Sequence, residues 1–138
     1  MRYMIDSNIL IFIATDRDSL TMEVGNILKD DRNLIYIPAK CVEELIYLQL
    51  RNKISVKWWK SPEDVLRTID ELNFGIKSVA KEHLWTLARL PFFPEHKDPT
   101  DRVIIAQSIT EKIPMISSDT QFPLYKRYGL DLVFNKRF

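Results

Sequence analysis

The stretch Tyr3-Met4-Ile5-Asp6-Ser7-Asn8-Ile9-Leu10 sets an apolar run, a polar cluster and a second apolar run that continues to Ala14. A short buried run closed by turn-forming residues and followed by a longer apolar segment predicts a buried strand, a turn and the start of a helix. An acid at the end of a buried strand costs free energy unless something compensates it, so Asp6 needs a partner.

The same alternation recurs downstream. Leu34-Ile35-Tyr36-Ile37 is rich in strand formers, and Pro38 suits the first turn of a helix running to about Asn52. Before it, Thr21 to Lys29 carries Val24, Ile27 and Leu28 at helical spacing, with Asp18 or Ser19 as the N-cap. Ser61-Pro62-Glu63-Asp64 reads as a cap, a first-turn proline and two acids ahead of Val65, Leu66, Ile69 and Leu72. Further on, a short strand is expected at Phe74 to Ile76 and a helix from Ser78 to Leu90 with Val79, Leu84 and Leu87 inward. Asp98-Pro99-Thr100-Asp101 opens a helix to about Lys112, and Met115 to Ser117 and Leu132 to Phe134 form strands. Strands separated by helices predict an α/β domain whose right-handed crossovers make the sheet mainly parallel and place helices on both faces.

Composition agrees with one folded unit over residues 1–138. Of 138 residues 46% are apolar and 28% charged, enough for a sizeable core and too little bias for a disordered or fibrous chain. The longest apolar stretch, Ile9 to Ala14, is six residues, far below the roughly 20 that a membrane-spanning helix needs. Asp6 stands where a signal peptide would place its apolar stretch, so a cytoplasmic protein is expected. A lone Cys41 argues against an internal disulfide, and no Cys/His cluster has zinc-site spacing.

In an open parallel sheet, ligands bind beyond the carboxyl ends of the strands. Asp6 follows the first strand and Asp119 follows Met115-Ile116-Ser117; Glu44 projects from the helix after Leu34 to Ile37, and Asp101 lies in the first turn of the helix before Met115. Each acid has a plainer reading: Asp98 and Asp101 as a capping pair, Asp119 as a turn residue, Glu43 and Glu44 as solvated helix residues. If the four converge, each like-charge pair about 5 Å apart costs roughly 3 kcal/mol at an effective dielectric near 20, and only a cation makes that tolerable. Carboxylates without thiolate or imidazole select hard ions, so Mg²⁺ or Mn²⁺ is expected, and such ions can orient a phosphodiester, activate water and stabilise a leaving oxygen. Neutralising the four acids leaves 20 basic against 15 acidic residues, which suits a polyanionic substrate. Arg51, Lys53, Lys57, Trp58, Trp59 and Lys60 interleave basic and aromatic side chains, as single-strand nucleic-acid grooves do; the alternative is that the tryptophans pack inside.

The residues also carry a family resemblance. Met4-Ile5-Asp6-Ser7-Asn8-Ile9-Leu10 resembles the opening motif of PIN-domain ribonucleases. Ile37-Pro38-Ala39-Lys40-Cys41-Val42-Glu43-Glu44-Leu45 is similar to their second motif, whose register selects Glu44 over Glu43. His96 to Gln107 is close to the HxDPxDRxxIAQ segment of VapC-type toxins, and Ile116-Ser117-Ser118-Asp119 fits the last motif. The resemblance implies a three-layer α/β/α fold with a four- or five-stranded, mainly parallel sheet. It implies Asp6, Glu44, Asp101 and Asp119 as catalytic, metal-binding acids, with Ser7, Asn8, Asp98 and Ser117 in support. It further implies Mg²⁺ or Mn²⁺, RNA cleavage by activated water, a homodimer, and a small protein antitoxin as partner. Arg102, Arg51, Lys53 and Lys57 are candidate substrate contacts, with a salt bridge as the alternative for Arg102; His96 receives no role.

Three classes compete at this point. One is the metal-dependent RNA endonuclease, as a toxin or as a free-standing PIN nuclease in RNA processing. Another is a phosphoryl-transfer protein, but a phosphatase of the haloacid-dehalogenase kind needs an Asp at position 8, which is Asn, and a receiver needs acids before Asp6, where Tyr3, Met4 and Ile5 stand. The third is a PIN-like module that binds RNA or protein without cutting.

Overall fold

The run Tyr3-Met4-Ile5 lies in strand β1 (Arg2–Ile5), and Met4 and Ile5 are fully buried. The description rests on a computed structural model and covers residues 1–137. Apolar residues on both faces make β1 the middle of a parallel sheet, because only a strand covered on two sides buries consecutive side chains. On one side β1 pairs with β2 (Leu34–Pro38), which pairs with β3 (Gly75–Lys77). On the other it pairs with β4 (Met115–Ser117), which pairs with β5 (Leu132–Phe134). The order is β3-β2-β1-β4-β5, with every pairing parallel.

Parallel neighbours need crossover connections, and helices supply most of them. Helices α1 (Ser7–Thr15) and α2 (Met22–Lys29) link β1 to β2, and α3 (Ala39–Leu50) and α4 (Glu63–Glu71) link β2 to β3. Next, α5 (Lys81–Arg89) and α6 (Pro99–Glu111) link β3 to β4, and a 3₁₀ segment (Phe122–Tyr128) leads to β5. The result is a three-layer α/β/α fold. Ile9, Leu10, Leu45, Ile69, Ile104, Ile105, Phe122 and Tyr125 pack against the sheet fully buried. Among the described residues no helix is long and apolar enough to cross a membrane. Gly75 is required where it stands: a Cβ there would come within 2.7 Å of the Tyr36 ring on the neighbouring strand.

Several local expectations are corrected. The N-cap of α2 is Thr21, whose Oγ1 accepts from Val24 N at 3.2 Å, rather than Asp18 or Ser19. Those two residues are taken up by a 3₁₀ turn (Arg17–Ser19), and the Ser19 hydroxyl donates to Asp16. Ser61 does not cap α4; the charged Asp64 carboxylate, a stronger acceptor than a hydroxyl, turns back to take the Lys60 and Ser61 N–H groups. Helix α5 starts at Lys81, not Ser78, and its buried side chain is His83, while Leu84 is exposed. His83 is drawn inward by polar partners: Nδ1 accepts from Ala80 N at 2.8 Å, and Nε2 lies 2.8 Å from Glu111, which also binds Lys77.

The topology fixes where the site lies. From β1 the chain builds outward to β2 and β3, then returns to β4 on the opposite side of β1, so the strand order reverses between β1 and β4. A crevice opens beyond the carboxyl ends of strands at such a reversal. The register Ile5↔Ile116 sets Asp6 and Ser117 side by side at that point.

Candidate active site

Asp6 ends β1 and caps α1, with one oxygen accepting from Ile9 N at 3.2 Å. Its other oxygen accepts from the Ser117 hydroxyl at 2.5 Å, a bond set up by the strand register. These donors hold the anionic form, yet burial outweighs them and, with the charges of Asp119 and Glu44, raises the Asp6 pKa from 3.8 to about 6. Ser117 Oγ also accepts from Asp119 N at 3.0 Å, so one hydroxyl ties the ends of β1 and β4 to the following loop.

Three further acids reach the same place from other elements. Glu44 comes from the second turn of α3. Asp101 is the third residue of α6, where Asp98 caps the helix by accepting from Thr100 N and Asp101 N. Asp119 spends one oxygen on Gln121 N at 2.8 Å. Asp6, Glu44, Asp101 and Asp119 line one cleft of about 180 Å³ together with Ser7, Asn8, Cys41, Asp98 and Thr100. No Lys or Arg is among those lining residues. Burial, followed by the charges of Asp98, Asp119, Asp6 and Glu44, raises the Asp101 pKa from 3.8 to about 8.

The lining therefore fits a hard cation. Five carboxylates share a cleft without a basic side chain to offset them, and two hold their protons far above the usual range. The one sulfur is no thiolate, because burial pushes the Cys41 thiol up. Ser7 Oγ, buried beside it, finds no oxygen or nitrogen partner among the described residues and faces the Cys41 thiol. Ligand atoms of Asp101, Asp119 and His96 lie within 4.8 Å of one another, while Asp6 and Glu44 stand outside that group on the same cleft.

His96 is what the sequence left without a role. It is only 5% exposed, its Nε2 lies 3.2 Å from Asp101 Oδ2, and its Nδ1 lies 2.7 Å from the hydroxyl of Tyr125. Its place at the head of the segment His96 to Gln107, five residues before Asp101, is the signal the sequence offers, since Tyr125 is 29 residues away. Arg102 forms no salt bridge among the described residues. Its guanidinium donates to Pro91 O at 2.8 Å, Leu90 O at 3.2 Å and the Tyr125 hydroxyl at 3.3 Å, neutral oxygens that fasten the preceding loop to α6. Arg51, at the end of α3, lies over the Tyr47 ring at 5.5 Å, and Lys53 and Lys57 are exposed on the following loop; none of the three lines the cleft. The tryptophan pair divides: Trp58 is exposed, while Trp59 is buried, with its indole N–H donating to Thr68 Oγ1 at 2.8 Å.

Comparison with known proteins places this geometry. Residues 3–128 match the PIN domain. In fold the chain is similar to one in the crystal structure of VapBC2 from Rickettsia felis bound to a DNA fragment from their promoter: TM-score 0.71, 20% identity, 99% of this chain and 100% of that chain covered. It is also similar to chains in the structures of VapBC-1 from nontypeable Haemophilus influenzae and of DNA-bound VapBC from Salmonella typhimurium. Both have a TM-score of 0.68 and cover 97% of this chain and 98% of the other, at 15% and 14% identity. No curated protein matches it by sequence. The match runs from β1 through the 3₁₀ segment before β5, and with the acids gathered at the strand-order reversal inside it, the chain belongs to the PIN domain family.

Proposed function

We propose that this protein is a divalent-metal-dependent RNA endonuclease and acts as the toxin of a toxin–antitoxin pair. The observation that carries the chemistry is the meeting of Asp6, Glu44, Asp101 and Asp119, from four separate segments, in one cleft without a basic side chain. Those four acids would hold Mg²⁺ or Mn²⁺, which when bound supplies Lewis acidity toward a phosphodiester and its attacking water. Ser117 holds Asp6 by its hydroxyl, and Asp98 holds the first turn of α6 so that Asp101 faces the cleft. Ser7 and Asn8, on the first turn of α1, line the same opening and would support the acids as polar neighbours.

The toxin role is supported by likeness in fold to chains of VapBC complexes. The expected partners are an RNA substrate and a small protein antitoxin, with the toxin itself a homodimer. The test is cleavage of single-stranded RNA by protein stripped with EDTA and resupplied with Mg²⁺ or Mn²⁺. Cleavage should require the ion and fall at least a hundredfold in Asp101→Asn; cleavage that persists in EDTA at the wild-type rate overturns the metal-dependent reading. Expression of the chain alone should arrest growth, and coexpression of the neighbouring small reading frame should relieve the arrest.

A further inference from the structure

We propose that His96 is a positioning residue, held by Tyr125 and Arg102 in one tautomer so that its Nε2–H donates to Asp101 and fixes that carboxylate for the ion. This rests on the nuclease reading above and adds to it a role for residues outside the four acids.

The direction of the hydrogen-bond chain follows from its far end. A guanidinium only donates, so Tyr125 Oη is the acceptor in its 3.3 Å contact with Arg102 Nη1. The single hydroxyl hydrogen of Tyr125 is then left for His96 Nδ1, 2.7 Å away. With Nδ1 accepting, the neutral imidazole carries its hydrogen on Nε2, the atom 3.2 Å from Asp101 Oδ2. Running the chain the other way, from Asp101 through His96 to Tyr125, strands the Tyr125 hydrogen without an acceptor. Tyr125 is fully buried, and an unmatched buried donor of that kind is disfavoured.

Packing keeps the ring in register. His96 is edge-on to Phe122 and to Tyr125, with ring centroids 6.0 and 5.4 Å apart, and its backbone N–H donates to Phe93 O at 3.0 Å. Phe93 in turn packs edge-on against Tyr125, and Arg102 ties the carbonyls of Leu90 and Pro91 to α6. The loop from Leu90 to His96 is thus braced against the two segments that carry Asp101 and Asp119. The same tautomer argues against His96 as an ion ligand, although its nitrogen stands within 4.8 Å of the ligand atoms of Asp101 and Asp119. The hydrogen on Nε2 occupies the lone-pair direction that a ligand would need. Outer partners of this kind tune metal affinity through the orientation of the ligand they touch.

Three measurements test this. Nitrogen-15 NMR of the histidine side chains in the metal-free protein should report His96 with hydrogen on Nε2, and Tyr125→Phe should release that preference; hydrogen on Nδ1 in the wild type overturns the proposal. Calorimetric titration with Mn²⁺ and steady-state RNA cleavage then compare wild type, His96→Leu, His96→Gln, Asp101→Asn and the His96→Leu/Asp101→Asn double variant. His96→Leu should weaken Mn²⁺ binding and lower kcat by about tenfold or more, with KM for RNA little changed, and His96→Gln, which keeps a donor, should recover most of the loss. In the Asp101→Asn background His96→Leu should add little, because His96 acts through Asp101. Full additivity, or a folded His96→Gln as impaired as His96→Leu, overturns the positioning role in favour of direct ligation. Should His96→Leu fail to fold, the NMR result and the His96→Gln kinetics decide. A wild-type protein that neither binds Mn²⁺ nor cleaves RNA defeats the nuclease reading itself, and is recognisable as such because no variant is involved.

Discussion

Replacing Asp6 by Asn should stabilise the metal-free protein, and by an amount that depends on pH. In the folded chain the Asp6 pKa stands at about 6 against an ordinary 3.8, chiefly through burial. The folded state therefore holds this proton more tightly than the unfolded chain does. Its contribution to stability is complete below about pH 4 and is lost as the pH rises through 6. Two pH units at 1.36 kcal/mol each give about 3 kcal/mol at pH 8, or roughly 10 °C in Tm for a chain of this size. Asn carries no charge to desolvate, caps a helix about as well as Asp, and can accept from Ile9 N–H at Oδ1 while its Nδ2 donates to Ser117 Oγ, reversing that bond. Thermal unfolding in EDTA should then show Asp6→Asn well above wild type at pH 8 and level with it near pH 4. Excess Mn²⁺ should narrow the gap at pH 8, by stabilising wild type about 3 kcal/mol at a hundredfold excess over Kd and the variant by less. A variant that melts below wild type at pH 8 in EDTA, or a gap that ignores pH, would refute the reasoning.

Asp101→Asn and Asp119→Asn should each lower RNA cleavage at least a hundredfold with circular dichroism unchanged; wild-type activity in Asp101→Asn would mean Asp101 only supports the helix start. Glu44→Gln should damage cleavage far more than Glu43→Gln, since Glu44 lines the cleft while Glu43 is exposed and lies 3.8 Å from Lys40, and comparative kcat measurements would expose the opposite ranking. Binding of Mn²⁺ at pH 7 should release about one proton, mostly from Asp101 with its pKa near 8. Calorimetry in buffers of different ionisation enthalpy measures that number, and zero release would show the cleft already ionised.

What the chain declares openly is governed by local chemistry. Strands β1, β2, β4 and β5 announce themselves as short apolar runs, and Asp98-Pro99 marks the start of α6 because a capping acid followed by proline has few other uses. Long-range partners are the obscure part. Asp6 sits beside Ser117 through sheet register, across 111 residues, and His96 turns inward through Tyr125. Neither pairing leaves a trace in spacing. The misassigned caps fail for a related reason: Thr21 is chosen over Ser19 partly because its backbone N–H is held by Asn135 Oδ1 at 2.7 Å, more than a hundred residues on. Helix α5 departs from its apolar pattern because Glu111 on α6 offers a half-buried partner to His83, which outcompetes Leu84 for the inward position. Arg102 stands beside Asp101 in sequence, and its bonds to Leu90 O, Pro91 O and the Tyr125 hydroxyl, set by loop packing, are equally invisible there.

The central claim is that acids from four segments form one cation site at the carboxyl ends of β1 and β4. Anomalous diffraction from crystals grown with Mn²⁺ addresses it most directly. The account requires a manganese peak inside the cleft, bonded to oxygens of at least three among Asp6, Glu44, Asp101 and Asp119, and its disappearance in Asp101→Asn/Asp119→Asn. Well-ordered crystals at saturating Mn²⁺ with no peak there, or with the ion held only by residues outside that cleft, would contradict it.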